Sequence, residues 1–265
     1  MQKKRIGLCR SFVSVLFQIM LKNYKLTIQY DGGRYDGWQK QGNTDNTIQG
    51  KLEAILSRLA EEPVEVHGAG RTDAGVHAEG QTASVKLPGN RPAAGVMDYL
   101  NRYLPEDIAV VDVEEVEDRF HARLNAVGKV YRYDIRLGGV PDVFRRKYQY
   151  RVEELLDIEA MKQAAENLCG THDFRAFCAN KRYKKSTVRT IHAIEVDQNG
   201  ADLSLTFHGD GFLYNMVRIL TGTLLEVGQG LRKPEEMTDI LHSLDRAKAG
   251  KTAPAQGLCL IKVEY

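Results

Sequence analysis

Tyr24-Lys25-Leu26-Thr27-Ile28-Gln29-Tyr30 alternates apolar and polar side chains without a break. A half-buried strand requires this pattern, because successive side chains leave opposite faces of a sheet. The glycine-dense turn Asp31-Gly32-Gly33 follows. Asn46 with Gln49 predicts a helix cap, and Ile48, Leu52, Ile55, Leu56 and Leu59 fall on one helical stripe. Pro63 ends that helix, Val64 and Val66 begin a strand, and Gln81 to Leu87 reads as another. Pro92 opens a second helix with Val96, Leu100 and Tyr103 on one side, and Ile108 to Val113 reads as a closing strand. The order is β-α-β-β-α-β.

The rest of the chain repeats it. A strand from Lys129 to Leu137 precedes a helix from Asp157 to Leu168, then strands from Val188 to Val196 and Asp202 to His208. A helix from Phe212 to Val227, an inserted helix near Pro234 to Leu244 and a strand from Leu258 to Val263 complete the set. Two split β-α-β units in tandem predict an α+β fold of two ferredoxin-like, RRM-like halves around a central, mainly antiparallel sheet. The expected boundaries are an extension over 1–19, a first half over 20–125 and a second over 126–265. An open sheet carrying aromatics is one way to hold single-stranded RNA.

Across 265 residues, 43% hydrophobic and 27% charged, the composition is that of a folded globular chain. Lys+Arg 37 against Asp+Glu 35 does not announce a polyanion binder, so any such partner must be held by local patches. Lys3, Lys4, Arg5 and Arg10 crowd the first 19 residues, which hold no acid. No cleavage site follows the short apolar run there, so an over-long start or a frayed extension is expected rather than a targeting signal. No apolar run reaches the ~18 residues of a membrane span, and no membrane association is expected. Cys9, Cys169, Cys178 and Cys259 form no CxxC pair, which fits a reduced cytoplasmic compartment better than a disulfide or metal framework.

The densest chemical signal is Gly68-Ala69-Gly70-Arg71-Thr72-Asp73-Ala74-Gly75-Val76-His77-Ala78, a loop between two strands. Asp73 breaks the GxGxxG pattern, and Val76-His77 replaces the Lys and Ser/Thr of a P-loop. What remains is a carboxylate and a guanidinium, Asp73 and Arg71, in a tight turn. Taken alone, that composition reads as a structural turn. Arg218 shifts the balance, being the only charge between Asp210 and Glu226 in an apolar helix. A guanidinium buried there needs a carboxylate partner, unless it snorkels to water. On the strand from Lys129, Tyr131 and Tyr133 share a face, either as core or as a stacking ring and a phenol. Arg119, Arg123, Lys129, Arg132 and Arg136 surround them, and Lys181-Arg182-Tyr183-Lys184-Lys185 with Arg189 adds a second basic, aromatic run. Both suit a phosphate backbone with exposed bases. The seven histidines lack zinc spacing and read as structural.

Together these residues resemble the tRNA pseudouridine synthase A family. The likeness runs from the Asp73 loop through Tyr30-Asp31-Gly32, Gly37-Trp38-Gln39, Thr47-Ile48-Gln49-Gly50 and Phe120-His121-Ala122-Arg123. It continues in Tyr131-Arg132-Tyr133, Met216-Val217-Arg218 and Ala253-Pro254-Ala255-Gln256-Gly257-Leu258. It covers nearly the whole chain from Leu21 on. The resemblance implies a pseudouridine-synthase fold and cofactor-free isomerisation of uridine to pseudouridine in the anticodon stem-loop of tRNA. It implies Asp73 as catalytic aspartate, Arg218 as its partner, Tyr131 as the ring that stacks on the flipped uracil, and Leu258 as an apolar wall. Arg71 and Arg123 are expected to bind substrate, no metal is expected, and the family is homodimeric. Two other readings need different residues: an RNA-binding protein without catalysis needs no Asp73–Arg218 pair, and a glycoside hydrolase needs a second carboxylate, such as Asp31 or Asp36.

Overall fold

The computed structural model describes residues 21–180 and 185–265. The expected extension over 1–19 and most of the basic run at 181–185 lie outside them. In the first half the elements are β1 (Leu21–Tyr30), α1 (Ile48–Ala60), β2 (Val66–Gly68), β3 (His77–Pro88), α2 (Ala93–Tyr103) and β4 (Ile108–Val116). The second half has β5 (Gly128–Leu137), β6 (Tyr150–Val152), α3 (Ile158–Glu166), β7 (Gly170–Asp173), β8 (Val188–Asn199), β9 (Asp202–Gly209), α4 (Met216–Gly228), α5 (Glu236–Ser243) and β10 (Leu258–Glu264).

All ten strands belong to one sheet, in the order β4-β1-β3-β10-β5-β9-β8-β7, with β2 on β3 and β6 on β5. Within each half the closing strand, the first strand and the strand before the closing one lie side by side, as β4-β1-β3 and again as β10-β5-β9. The repeat expected from the sequence is therefore a repeat of topology. The two halves meet where β10 lies parallel to β3, through Cys259 opposite His77 and Leu260 opposite Ala78. That junction is only two residue pairs long, so side chains must do much of the work of fixing the halves together.

The alternation in β1 sends Tyr24, Leu26 and Ile28 into the core with no exposed surface, where Leu52 and Leu56 of α1 and Val96 and Leu100 of α2 are also buried. In the second half Tyr133, Ile135, Leu205 and Phe207 are buried in the same core, with Ile219, Leu220 and Leu224 of α4. Two element starts differ from the sequence reading. The cap of α1 is Thr47, whose Oγ1 accepts from Gly50 N, while the Asn46 amide donates to Arg34 O. Both residues are able to cap; Thr47 is the one directly before Ile48. The helix expected from Phe212 begins at Met216, because Asn215 takes a left-handed conformation at φ 60° and ψ 8°. The short strands β6 and β7 carry too few residues to show a period in sequence.

Helix α4 lies close against the chain that leads into β10. A Cβ built on Gly222 would stand 1.7 Å from the Lys251 carbonyl oxygen, and only glycine leaves room for that approach. Gly222→Ala should therefore cost about 1–3 kcal/mol or more in urea unfolding. Gly42→Ala, where a Cβ would meet nothing within 4 Å, should stay within about 0.5 kcal/mol of the parent.

Candidate active site

The loop from Gly68 to Val76 is pinned on several sides. Ala69 N donates to Thr82 O at 2.7 Å, Trp38 N donates to Thr72 O at 3.0 Å, and Val76 N donates to Asp73 O at 3.1 Å. The Tyr30 hydroxyl and Thr72 Oγ1 share a buried hydrogen bond of 2.8 Å, and Gln81 Nε2 donates to Gly70 O at 3.0 Å. Gly75 turns the chain at φ +79°, a region that side chains with a Cβ rarely adopt. A loop fastened at this density holds one carboxylate in place.

Arg218 comes to that carboxylate from the other half of the molecule. Its Nη1 lies 3.2 Å from Asp73 Oδ2, and only 18% and 21% of the two side chains are exposed. The guanidinium is also held from two further directions. Nε donates to Ala253 O at 2.8 Å and Nη1 to Asn215 Oδ1 at 3.2 Å. The backbone returns the contact, Ala253 N donating to Arg218 O at 3.0 Å. This answers the question left by a lone arginine in an apolar helix: it does not snorkel, and it stands in the first turn of α4.

Arg218 favours the ionised form of Asp73, by charge and by hydrogen bond. Burial is the larger effect, and the Asp73 carboxyl lies above its ordinary range. Tyr131, 8% exposed, sits nearby, and burial first, then the neighbouring Tyr30 and Asp73, push its phenol up, so it stays protonated at neutral pH. Its ring meets Phe212 edge-on at 5.3 Å.

Asp73, Arg218, Tyr131 and Leu258 line one cleft of about 1500 Å³, together with Arg71, Arg123 and Lys185. Arg71 is exposed and donates through Nε to Gln39 Oε1 at 3.0 Å rather than to Asp73. Arg123 is exposed on the cleft wall, and Leu258 is buried at the start of β10. Arg132 goes elsewhere. One residue after Tyr131, it faces the opposite side of the sheet, forked between Asp134 and Glu79 at 3.0 Å each, beside a second cavity. His77 and Asp31 also belong to that second cavity. His77 Nδ1 accepts from Gly32 N at 3.1 Å and its Nε2 meets Lys147 O at 3.2 Å, so it fastens backbone. Sequence reasoning missed Asn215 and the stacked His67 and His121 rings, 5.0 Å apart on the cleft wall. No spacing rule finds them, since the fold alone brings them there. Among the described residues no group of three metal-ligating side chains stands together.

Arg218→Leu should raise the Asp73 titration further, as followed by carboxyl carbon NMR. It should also cost about 2–4 kcal/mol, somewhat less than the ~3–5 typical of fully buried pairs, because both groups keep some solvent. The sign with pH follows from the raised carboxyl. A native pKa above the unfolded one adds stability at low pH that is lost as pH rises through the native value. Without its partner the charge is costlier, so the gap between parent and variant should be wider at pH 7 than at pH 4 in urea unfolding.

The family model described as tRNA pseudouridine synthase matches residues 26–125 and again 164–265, one stretch in each half. The tRNA pseudouridine synthase A of Bacillus sp. (strain KSM-64) is 50% identical over 245 residues, 92% of this chain and 100% of that protein. That of Brevibacillus brevis is 46% identical over the same shares. The tRNA pseudouridine synthase A 2 of Bacillus anthracis is 45% identical, again over 92% and 100%. With both halves matched and relatives covered end to end, this chain belongs to the tRNA pseudouridine synthase family.

Proposed function

We propose that the cleft takes one flipped uridine of the tRNA anticodon stem-loop and isomerises it to pseudouridine, with Asp73 as nucleophile. The family carries the coarser statement: this is an isomerase that converts uridine to pseudouridine in tRNA. The observation that carries the finer one is a carboxylate clamped 3.2 Å from Arg218 in the cleft that Tyr131 also lines. Asp73 attacks the sugar C1′ or the uracil C6; the N1–C1′ bond breaks, the base turns, C5 bonds to C1′, and the bond to Asp73 breaks to return the free carboxylate. The proton lost from C5 is balanced by the one gained at N1, so atoms and electrons are conserved. Arg218 orients the carboxylate through Nη1, its planar guanidinium being fixed by Ala253 O and Asn215 Oδ1. Tyr131 stacks on the uracil, which offsets part of the few kcal/mol needed to unstack it, and its protonated phenol is the candidate for proton transfer. Leu258 closes the apolar wall.

Two copies of the chain work together in this reading, in the cytoplasm where tRNA is found. Support for the pairing comes from the segment joining β5 to α3, where Val140, Phe144 and Leu155 are 82%, 89% and 96% exposed. Among the described residues no helix is long and apolar enough to cross a membrane.

Asp73→Asn keeps the size of the side chain and removes its charge. Carbodiimide labelling of treated tRNA should show pseudouridine in the anticodon stem-loop with the parent protein and none with the variant, while tRNA binding largely survives. Near-normal turnover by the variant would remove Asp73 as nucleophile, and retained binding with no turnover by the parent would favour the RNA-binding reading. Affinity should also fall steeply with salt. Arg123→Ala should lower that log–log slope by about one, and Arg132→Ala, on the far face, should leave it unchanged.

A further inference from the structure

Lys129 is a half-buried cation of this cleft that the reaction above does not use and that has no ion pair among the described residues. It precedes Tyr131 by two residues on β5, so both side chains leave the sheet on the same face, roughly 7 Å apart along the strand. Its ammonium lies over the Asp73 loop, where Nζ donates to Ala69 O at 3.0 Å. That is its one hydrogen bond among the described residues, against three N–H donors. Gly70 makes the room, since a Cβ there would stand 2.8 Å from Nζ.

The surroundings are wrong for a resting ammonium. Burial acts most strongly on it, and the charges that act on it are the cations Arg123, before β5, and Arg189, on β8. Together they push its pKa down to about 8. Asp210, which lines the same cleft beyond β9, already accepts from Thr190 N at 3.0 Å. A cation kept half-buried, among cations and with donors to spare, is costly until an anion arrives, and an arriving anion recovers that cost. Its place beside Tyr131 fixes which anion. A base stacked on Tyr131 carries its own sugar–phosphate chain past Lys129.

We propose that Lys129 binds a backbone phosphodiester flanking the flipped nucleotide, and so sets the register of the RNA strand over Asp73. This rests on the uridine reading above, and it adds a site to it. The same ammonium then touches both the phosphate and the Ala69 carbonyl, four residues from the carboxylate, so strand and loop are held by one group.

The test pairs a protein change with an RNA change. Synthetic anticodon stem-loops carry a neutral methylphosphonate at the phosphate 5′ or 3′ of the target uridine, and binding is read by fluorescence anisotropy, independently of turnover. Lys129→Met keeps the stem and removes the charge; it should weaken binding of the unmodified RNA about tenfold. One of the two methylphosphonates should weaken binding to the parent protein by a similar factor, and the combination should lose less than twofold more. Lys129→Arg should restore most of the loss and keep the sensitivity to the same methylphosphonate. Losses that multiply at both phosphates, or unaltered binding by Lys129→Met, overturn the phosphate site and would leave Lys129 as a strut for the loop. Coupling at one phosphate, with no pseudouridine formed by the parent, would instead overturn the assignment of the reaction and leave the phosphate site standing.

Discussion

The contact between Asp73 and Arg218 is where the two halves of the molecule need each other. The sheet joins them through only two parallel residue pairs of β3 and β10. The carboxylate comes from the loop before β3, and the guanidinium from the first turn of α4. Neither charge is tolerable alone at about one-fifth exposure, and each is made tolerable by the other half. Arg218 extends that dependence to the chain entering β10, through the exchange of hydrogen bonds with Ala253. The Tyr133 hydroxyl, from β5, donates to Pro254 O at 2.8 Å in the next residue along. The path from Asp73 to the closing strand is thus a chain of polar contacts laid over a short seam.

That arrangement explains why the carboxyl is raised rather than lowered. An exposed aspartate beside an arginine would titrate low, since water solvates the charge and the arginine adds attraction. Here the water is largely removed, and one guanidinium shared with Ala253 O and Asn215 Oδ1 does not replace it fully. An anion there is under-solvated, and in the reading proposed above it gains by forming a bond. Asn215 shows the same trade in the backbone. It is held at positive φ, a conformation asparagine tolerates better than most residues, and its side chain reaches Arg218 from there.

Much of this was legible in the sequence because it rests on short-range periodicity. The alternation of β1 and β5 and the stripe of α1 locate the core, and repetition of their order gives the two halves. The Asp73 loop and the lone Arg218 are legible because each breaks a local rule, one by density of glycine and the other by a charge in an apolar helix. What stayed hidden depends on which side of the sheet a residue faces. Arg132 and Lys129 look alike in sequence, as basic neighbours of Tyr131. The pleat sends Lys129 to the cleft and Arg132 to Asp134 and Glu79 on the far side. The pairing of His67 with His121 is equally invisible, since it joins β2 to the loop before β5.

The same pleat divides the glycine-rich signature into two jobs. Asp73 turns into the cleft, while His77, four residues on, lies on the opposite face with its two ring nitrogens tied to Gly32 N and Lys147 O. Burial lowers the His77 pKa more than the Asp31 carboxylate raises it, so the ring is neutral and suits one donated and one accepted hydrogen bond. It thereby fixes the start of β3 to the turn after β1 and to the segment before β6, and β3 in turn fixes the loop that carries Asp73. A motif of eleven residues is therefore not eleven residues of chemistry. Asp73 meets the uridine in this reading, Arg71 lines the same cleft, and most of the others hold a strand and a turn so that the carboxylate arrives opposite Arg218.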